Sequence, residues 1–243
     1  MITPLSFGGK KVIVTGAGRG LGKLLVKSIV ENDGTVFALS KTKEKLEELK
    51  EECPQVSTIQ VDLSNYDETR RLLLSLEPVH MLVNNAAINI PGEMMKVSKD
   101  DFDRTFNSNV LSSLNVTQII AEKMISNRMA GSIVNISSIA ERMVVDRQGL
   151  YGISKSALGA MSRNLAHELG PHNIRVNCVC PGLFPSDMSK KALDNPKSRM
   201  VNSIVTTSSL RRIGTASEIA NVVLFLLHEG SSYINGESIF VCG

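Results

Sequence analysis

The stretch Lys11-Val12-Ile13-Val14-Thr15-Gly16-Ala17-Gly18-Arg19-Gly20-Leu21-Gly22 decides the fold. A β-branched run ends at Thr15, glycines follow, and Lys23–Val30 then takes up helical spacing. Glycine suits a tight strand-to-helix turn and lets backbone approach a pyrophosphate closely. The helix start beyond it offers unpaired N–H groups and a partial positive charge. The first gap between Gly16, Gly20 and Gly22 is longer than in the common Gly-x-Gly-x-x-Gly pattern. The argument therefore rests on placement, after the first strand and at the head of a helix. It marks Gly16, Arg19, Gly20, Leu21 and Gly22 as candidate dinucleotide-binding residues.

Further along the chain, short β-branched runs alternate with helical patterns. Thr35–Ser40, Thr58–Val61, Met81–Asn84, Ser132–Ser137 and Arg175–Val179 read as buried strands, with Ser238–Val241 a seventh. Such alternation predicts an α/β fold, a doubly wound parallel sheet in a single domain over residues 1–243. Capping boxes are expected at Ser98 with Asp101 and at Thr215 with Glu218. The least regular stretch, residues 182–215, is expected to be a substrate-binding loop or lid.

A net charge of +3 spread along the chain, with few aromatic residues, excludes an evident nucleic-acid surface. No segment approaches the ~20 apolar residues of a membrane span. No apolar signal core opens the sequence, since Gly8, Gly9, Lys10 and Lys11 interrupt it. Cys53, Cys178, Cys180 and Cys242 form no Cys-x-x-Cys pair and have no histidine spacing for zinc, so no metal is expected. They read as reduced thiols of a cytoplasmic protein, in which the sequons at Asn115 and Asn135 stay silent.

The second strand ends in Ser40-Lys41-Thr42, with no acid before Glu44. A carboxylate there would accept from both ribose hydroxyls and repel a 2′-phosphate. Ser40, Lys41 and Arg19 can instead hold that phosphate, which points to NADPH. The plainer alternative is that both cations are ordinary surface charges. Asp62 could accept from the adenine amino group, or shape the helix start near Ser64.

Tyr151 and Lys155 lie four positions apart on a helix whose face continues through Leu158, Ser162, Leu165 and Leu169. A lysine on an inward stripe needs a use for its charge. A neighbouring ammonium is expected to lower the tyrosine pKa and make it a better proton shuttle. Ser138, after the fifth strand, either donates to a substrate carbonyl oxygen or caps a turn. Asn109, in the helix expected over Asp101–Met124, shares a stripe with Phe102, Phe106, Val116 and Ile120. It either anchors a proton-relay water or satisfies the backbone of a kinked helix.

Taken together, Thr15 to Gly22, Asn84-Asn85-Ala86-Ala87, Asn109, Ser138, Tyr151-Gly152-Ile153-Ser154-Lys155, Pro181-Gly182 and Asn235-Gly236 resemble the short-chain dehydrogenase/reductase family over nearly the whole chain. The resemblance implies a Rossmann-like seven-stranded sheet and a catalytic tetrad of Asn109, Ser138, Tyr151 and Lys155, with Ser138 preferred to Ser137 by its spacing to Tyr151. It also implies cofactor contacts at Leu63, Asn85, Pro181 and Gly182, and usually a homotetramer. Within the family, Glu52-Cys53-Pro54, Val61-Asp62-Leu63, Phe102-Asp103-Arg104, Glu168-Leu169-Gly170-Pro171-His172 and Ile174-Arg175-Val176-Asn177 are similar to the tetrameric carbonyl reductases and L-xylulose (dicarbonyl) reductase. That subgroup uses NADPH to reduce α-dicarbonyls, ketoses such as L-xylulose, or other small carbonyls.

Three departures stand out. Ser186 occupies the place of the family's usual threonine, which holds the nicotinamide carboxamide, and keeps a hydroxyl there. The substrate positions Ile139, Val145 and Gln148 are not the subgroup's usual set, and Ile139 makes the pocket more apolar. Relatives often continue beyond the position of Gly243 with residues that contribute to subunit contacts or the active site. The alternatives to a small-carbonyl reductase are a 3-oxoacyl or steroid-type reductase, and a non-catalytic nucleotide-binding regulator.

Overall fold

A computed structural model describes residues 5–243; the first four residues of the expected domain lie outside the described residues. Its strands are β1 (Lys11–Thr15), β2 (Thr35–Ser40), β3 (Ser57–Gln60), β4 (Met81–Asn84), β5 (Gly131–Ile136), β6 (Ile174–Pro181) and β7 (Ser238–Val241). They form one parallel sheet in the order β3-β2-β1-β4-β5-β6-β7. The order reverses between β1 and β4, and a crevice opens there at the carboxyl ends of the strands. The expected doubly wound, Rossmann-like α/β fold is therefore present.

Alternation along each strand feeds two cores. Val12, Val14, Val36, Ala38, Val134 and Val179 face α1 (Gly20–Glu31) and α9 (Ala216–Leu227), with α2 (Lys43–Glu52) at the edge. Ile13, Leu39, Leu82, Ile133 and Val176 face α3 (Tyr66–Leu74), α5 (Ser112–Ser126) and α6 (Gly149–Leu169). Polar groups inside this second layer bond to one another: Asn135 donates to the Ser162 hydroxyl (2.7 Å), and Asn84 donates to Asn135 (2.8 Å), while the Asn84 Oδ1 is left without a partner. Asn115 and Asn135 of the two sequons are both fully buried.

Four expectations need correction. The helix expected over Asp101–Met124 is α4 (Lys99–Phe106), a π-turn at Asn107–Leu111, and then α5. Its stripe is not buried throughout, because Phe102 is exposed and stacks on Phe106 at 4.4 Å between centroids. The capping box at Ser98 is only half formed. Ser98 Oγ accepts from Asp101 N, but the Asp101 carboxylate takes the serine hydroxyl rather than the backbone N–H. Thr215 and Glu218, one methylene longer, complete theirs. Finally, residues 182–215 are not an irregular loop. They carry α7 (Asp187–Leu193) and α8 (Arg199–Thr207), capped by Ser186 and Ser198. Short serine-capped helices with one thin apolar face leave little periodic signal in sequence.

Candidate active site

One cleft of about 330 Å³ runs along the carboxyl ends of the strands. The glycine turn forms one end. Gly16 and Gly20 both take positive φ, +62° and +53°. At Gly22 any side chain would overlap the Gly16 carbonyl oxygen, so the head of α1 is drawn hard against the turn. Gly18 has the same role toward the second strand, since a Cβ there would lie 2.8 Å from Lys45 Cβ and 3.1 Å from Ser40 Oγ. Asn85 pins the turn from β4. Its side chain donates to the carbonyls of Thr15 (3.0 Å) and Gly16 (3.2 Å), and its N–H donates to Thr15 Oγ1 (2.9 Å). The turn is therefore a cradle of exposed backbone that no larger residue could build, and it suits the pyrophosphate of a dinucleotide.

Arg19, Ser40, Lys41, Asp62 and Leu63 all line this end of the cleft, as do Leu21 and Asn85. Arg19 reaches Asp187 of α7 at 3.5 Å, across the cleft mouth, with both side chains exposed. Lys45, not singled out in the sequence, adds a third cation to this end and is held by Glu48 at 2.7 Å. Asp62 makes a local turn. Its Oδ1 accepts from both the N–H and the hydroxyl of Ser64, which holds its carboxyl below the usual range. The helix cap proper is Asn65.

At the other end stand Ser138, Tyr151 and Lys155, all lining the cleft. Tyr151 and Lys155 share the inner face of α6, and the Lys155 ammonium lies 5.5 Å from the tyrosine ring centroid. That ammonium is buried and donates to the Ile136 carbonyl at 2.7 Å. The expected lowering of the Tyr151 pKa is absent in the protein alone. Burial pushes the phenol up to about 12, against the pull of the Ser138 hydroxyl beside it. Burial likewise pushes Lys155 down to about 8. Desolvation outweighs the mutual influence of the pair because the ammonium is aimed at a carbonyl, not at the phenol oxygen.

Ser138 also caps the short turn Ile139–Glu141, accepting from Ala140 N at 3.1 Å. Asn109 sits one layer back, fully buried in the π-turn. Its Oδ1 accepts from Ile88 N (2.8 Å), and its Nδ2 donates to Ile88 O (2.9 Å) and Ser154 Oγ (3.0 Å). It clamps the strand-four loop to α6, next to Lys155. The π-turn explains the stripe: one extra residue per turn rotates Asn109 inward.

Ile139, Val145 and Gln148 line the cleft, together with Ile88, Leu183, Phe184, Met188, Met200 and Ile204. Gln148 donates to Met200 Sδ at 3.4 Å, which ties the wall to α8. Pro181 and Gly182 border the same cleft, and a Cβ on Gly182 would meet Cys242 at 2.9 Å. The Ser186 hydroxyl lines it too, but is engaged in the α7 capping box with Ser189.

Sequence reasoning missed Glu141. Its carboxylate accepts from Ser137 Oγ (2.8 Å), Ser238 Oγ (3.0 Å) and Cys180 Sγ (3.3 Å), in a gap that only Gly159 leaves open. It braces the turn that carries Ser138 against β6 and β7. Two of the three donors lie on distant strands, so the acid gives little local signal. Among the described residues no cluster of His, Cys, Asp and Glu could hold a metal, and no helix is long and apolar enough to cross a membrane.

A family model described as enoyl-(acyl carrier protein) reductase matches residues 16–243. Carbonyl reductase (NADPH) 2 of Sus scrofa is 35% identical over 237 residues, 98% of this chain and 96% of that protein. L-xylulose reductase of Homo sapiens is 34% identical over 239 residues, 98% of this chain and 97% of that protein. A short-chain type dehydrogenase/reductase from Mycobacterium ulcerans has a similar structure, with a TM-score of 0.92 at 28% identity, over 98% of this chain and 90% of that one. With the glycine cradle and the Ser138, Tyr151 and Lys155 cluster on one cleft, the chain belongs to the short-chain dehydrogenase/reductase family. It is a nicotinamide-dependent oxidoreductase acting on a CH–OH/C=O pair.

Proposed function

We propose that this chain reduces a carbonyl compound to the alcohol with NADPH, using Tyr151 as the proton donor. The observation that carries the reading is the convergence of Ser138, Tyr151 and Lys155 on the cleft whose other end is the glycine cradle. When bound, the nicotinamide supplies the hydride. Ser138 then donates a hydrogen bond to the substrate oxygen and steadies its growing negative charge. Tyr151, whose phenol burial keeps protonated at neutral pH, gives that oxygen its proton. Lys155 would relay a proton back to the phenol and would hold the cofactor ribose when the cofactor is bound. Asn109 fixes the Ile88 loop and α6 relative to each other.

NADPH is the proposed cofactor because Arg19, Lys41 and Lys45 meet Ser40 at the adenosine end with no carboxylate on strand two. Asn85, Leu63, Asp62, Pro181, Gly182 and Ser186 complete the proposed cofactor contacts. Residues 182–215 form the substrate lid.

We also place the protein in the cytoplasm as a homotetramer. Met124 and Leu158 are fully buried within the protomer and carry no subunit contact. Phe102, Leu111 and Ile153, exposed on or beside α4, α5 and α6, carry it instead. The test is NADPH absorbance with diacetyl, L-xylulose, an aromatic aldehyde and an acyl thioester. Consumption with at least one supports the reductase; cofactor binding without any turnover supports the regulator.

A further inference from the structure

Beyond the cleft itself, the segments that frame its mouth carry an apolar rim. Met94 and Met95 stand on one side and Met143 and Val144 on the other, all exposed, with Met95 and Val144 almost fully so. The two sides are joined. Gly92 N donates to Arg147 O at 2.9 Å, Gly92 bridges to Gln148, and Met94 packs on Gly149, where a Cβ would lie 2.5 Å from its sulfur. Val145 and Gln148, next in sequence to this rim, already line the cleft. Val145 and Gln148 thus connect the exposed rim to a cleft wall that carries Ile139, Phe184, Met188, Met200 and Ile204.

We infer that the substrate carries a long unbranched apolar chain, lying along the cleft wall and emerging over Met94, Met95, Met143 and Val144. This rests on the carbonyl-reductase reading above. Several observations favour a chain over a polyol. Ile139, Phe184, Met188, Met200 and Ile204 give the cleft an apolar stretch of wall, and the Gln148 amide beside it donates to the Met200 sulfur. Isolated exposed apolar residues need no explanation, but four gathered at the mouth of an apolar cleft form a patch continuous with the site. Met188 and Met200 on wall and lid, with Met94, Met95 and Met143 on the rim, make a surface that adapts to a flexible chain. The reaction stays balanced at the head group. The carbonyl carbon takes a hydride from NADPH, the oxygen takes a proton from Tyr151, and the chain is unchanged.

The experiment uses the whole chain with NADPH and straight-chain aldehydes from butanal to dodecanal, whose carbonyls differ little in reactivity. Each methylene buried on binding should raise kcat/KM by about threefold to fourfold. The rise should continue past about eight carbons, as the chain reaches the rim. Val144→Asp, on a fully exposed side chain, should lower the dodecanal-to-butanal ratio of kcat/KM tenfold or more. A flat or falling series overturns the inference, as does a ratio that Val144→Asp does not move. Dissociation of an oligomer by Val144→Asp in sedimentation would make the rim a subunit face and also overturn it. If no straight-chain aldehyde is reduced while diacetyl, L-xylulose, an aromatic aldehyde or an acyl thioester is, the reductase reading stands and the inference falls. If none of these carbonyls is reduced, the reductase reading falls, and the inference is still read by calorimetry. Dodecanol binding the NADPH-loaded protein no better than butanol would then sink it.

Discussion

The two halves of the cleft are built from different material. The cofactor half has a floor of backbone, the Gly16–Gly22 turn, the head of α1 and the carbonyls that Asn85 holds in place, with charged and polar side chains such as Arg19, Ser40 and Lys41 only at its end. The substrate half is walled by side chains from three separate segments: the Ile88 loop, the stretch from Ile139 to Gln148, and the lid with α7 and α8. A backbone wall constrains residue type strictly, because only glycine fits. A side-chain wall constrains only polarity and volume, so many sequences can build it. Tyr151 and Lys155 stand where the halves meet, on a long helix that belongs to neither wall.

The sharpest break between the halves comes from Tyr151→Phe. It removes the proton donor and leaves the glycine cradle untouched. The expected loss in kcat is about 10²- to 10⁴-fold, with NADPH affinity nearly unchanged. Single-turnover reduction beside a cofactor titration measures both. Wild-type rates in the variant would remove Tyr151 from the proton path.

The next effect lies wholly in the cofactor half. With Arg19, Lys41 and Lys45 at the adenosine end, NADPH should be preferred to NADH by about 10²-fold in kcat/KM. Ser40→Asp combined with Lys41→Ala should reverse much of this, since the new carboxylate accepts from the free ribose hydroxyls and repels the phosphate. Added salt should weaken the preference for NADPH without touching the use of NADH. Equal use of both cofactors by the wild type would make these lysines plain surface charge. The Arg19–Asp187 pair bears on this as well, because a phosphate that engages Arg19 competes with Asp187 on the lid.

Legibility follows the same division. The glycine turn, the alternation of strands and helices and the Tyr151–Lys155 face could be read in the sequence because steric exclusion and side-chain periodicity act over a few residues. Strand limits shifted by a residue or two at β3, β5 and β6, where hydrogen bonding continues past the β-branched core. The π-turn at Asn109 could not be read, because a single extra residue changes the phase of a helix without changing its composition. The lid helices were missed because serine caps and scattered apolar residues resemble a loop. Glu141 was missed because two of its three donors, Cys180 and Ser238, are brought to it only by the fold.

A smaller effect tests the claim that the cradle admits nothing but glycine. In Gly22→Ala the new Cβ would overlap the Gly16 carbonyl, so either the turn or α1 must move. Such overpacking costs about 1–3 kcal/mol, or some 2–12 °C in Tm for a domain of this size, and should raise KM for NADPH in parallel. By contrast, Gly92→Ala on the substrate side meets no atom within 4 Å and should cost far less. Thermal unfolding of the two variants compares the walls directly. Similar losses would show that the backbone wall is no more demanding than the other.

The smallest effect belongs to the residue at the junction, and its sign is fixed by burial. Folded Lys155 gives up its proton near pH 8, while the unfolded chain holds it to the ordinary 10.5. Between those values the unfolded state binds more protons, so this group makes stability rise with pH. Below about pH 8 both states are protonated, and the cost of burying the charge is constant. Tyr151 acts in the opposite sense in a higher window, holding its proton to about 12 against an ordinary 10.0, so it makes stability fall between those values. The two windows barely touch, which lets the lysine be read alone from pH 7 to 10. Lys155→Met keeps the volume and removes the proton. The wild type should gain on the variant by at most about 1.4 kcal/mol per pH unit above pH 8, and by nothing below it. In Tm that is about 3–6 °C per unit. Parallel Tm curves for the two proteins across pH 8 would show that Lys155 keeps its charge when folded. The ammonium would then be stabilised by more than the Ile136 carbonyl, and reduction would not slow as the pH passes 8.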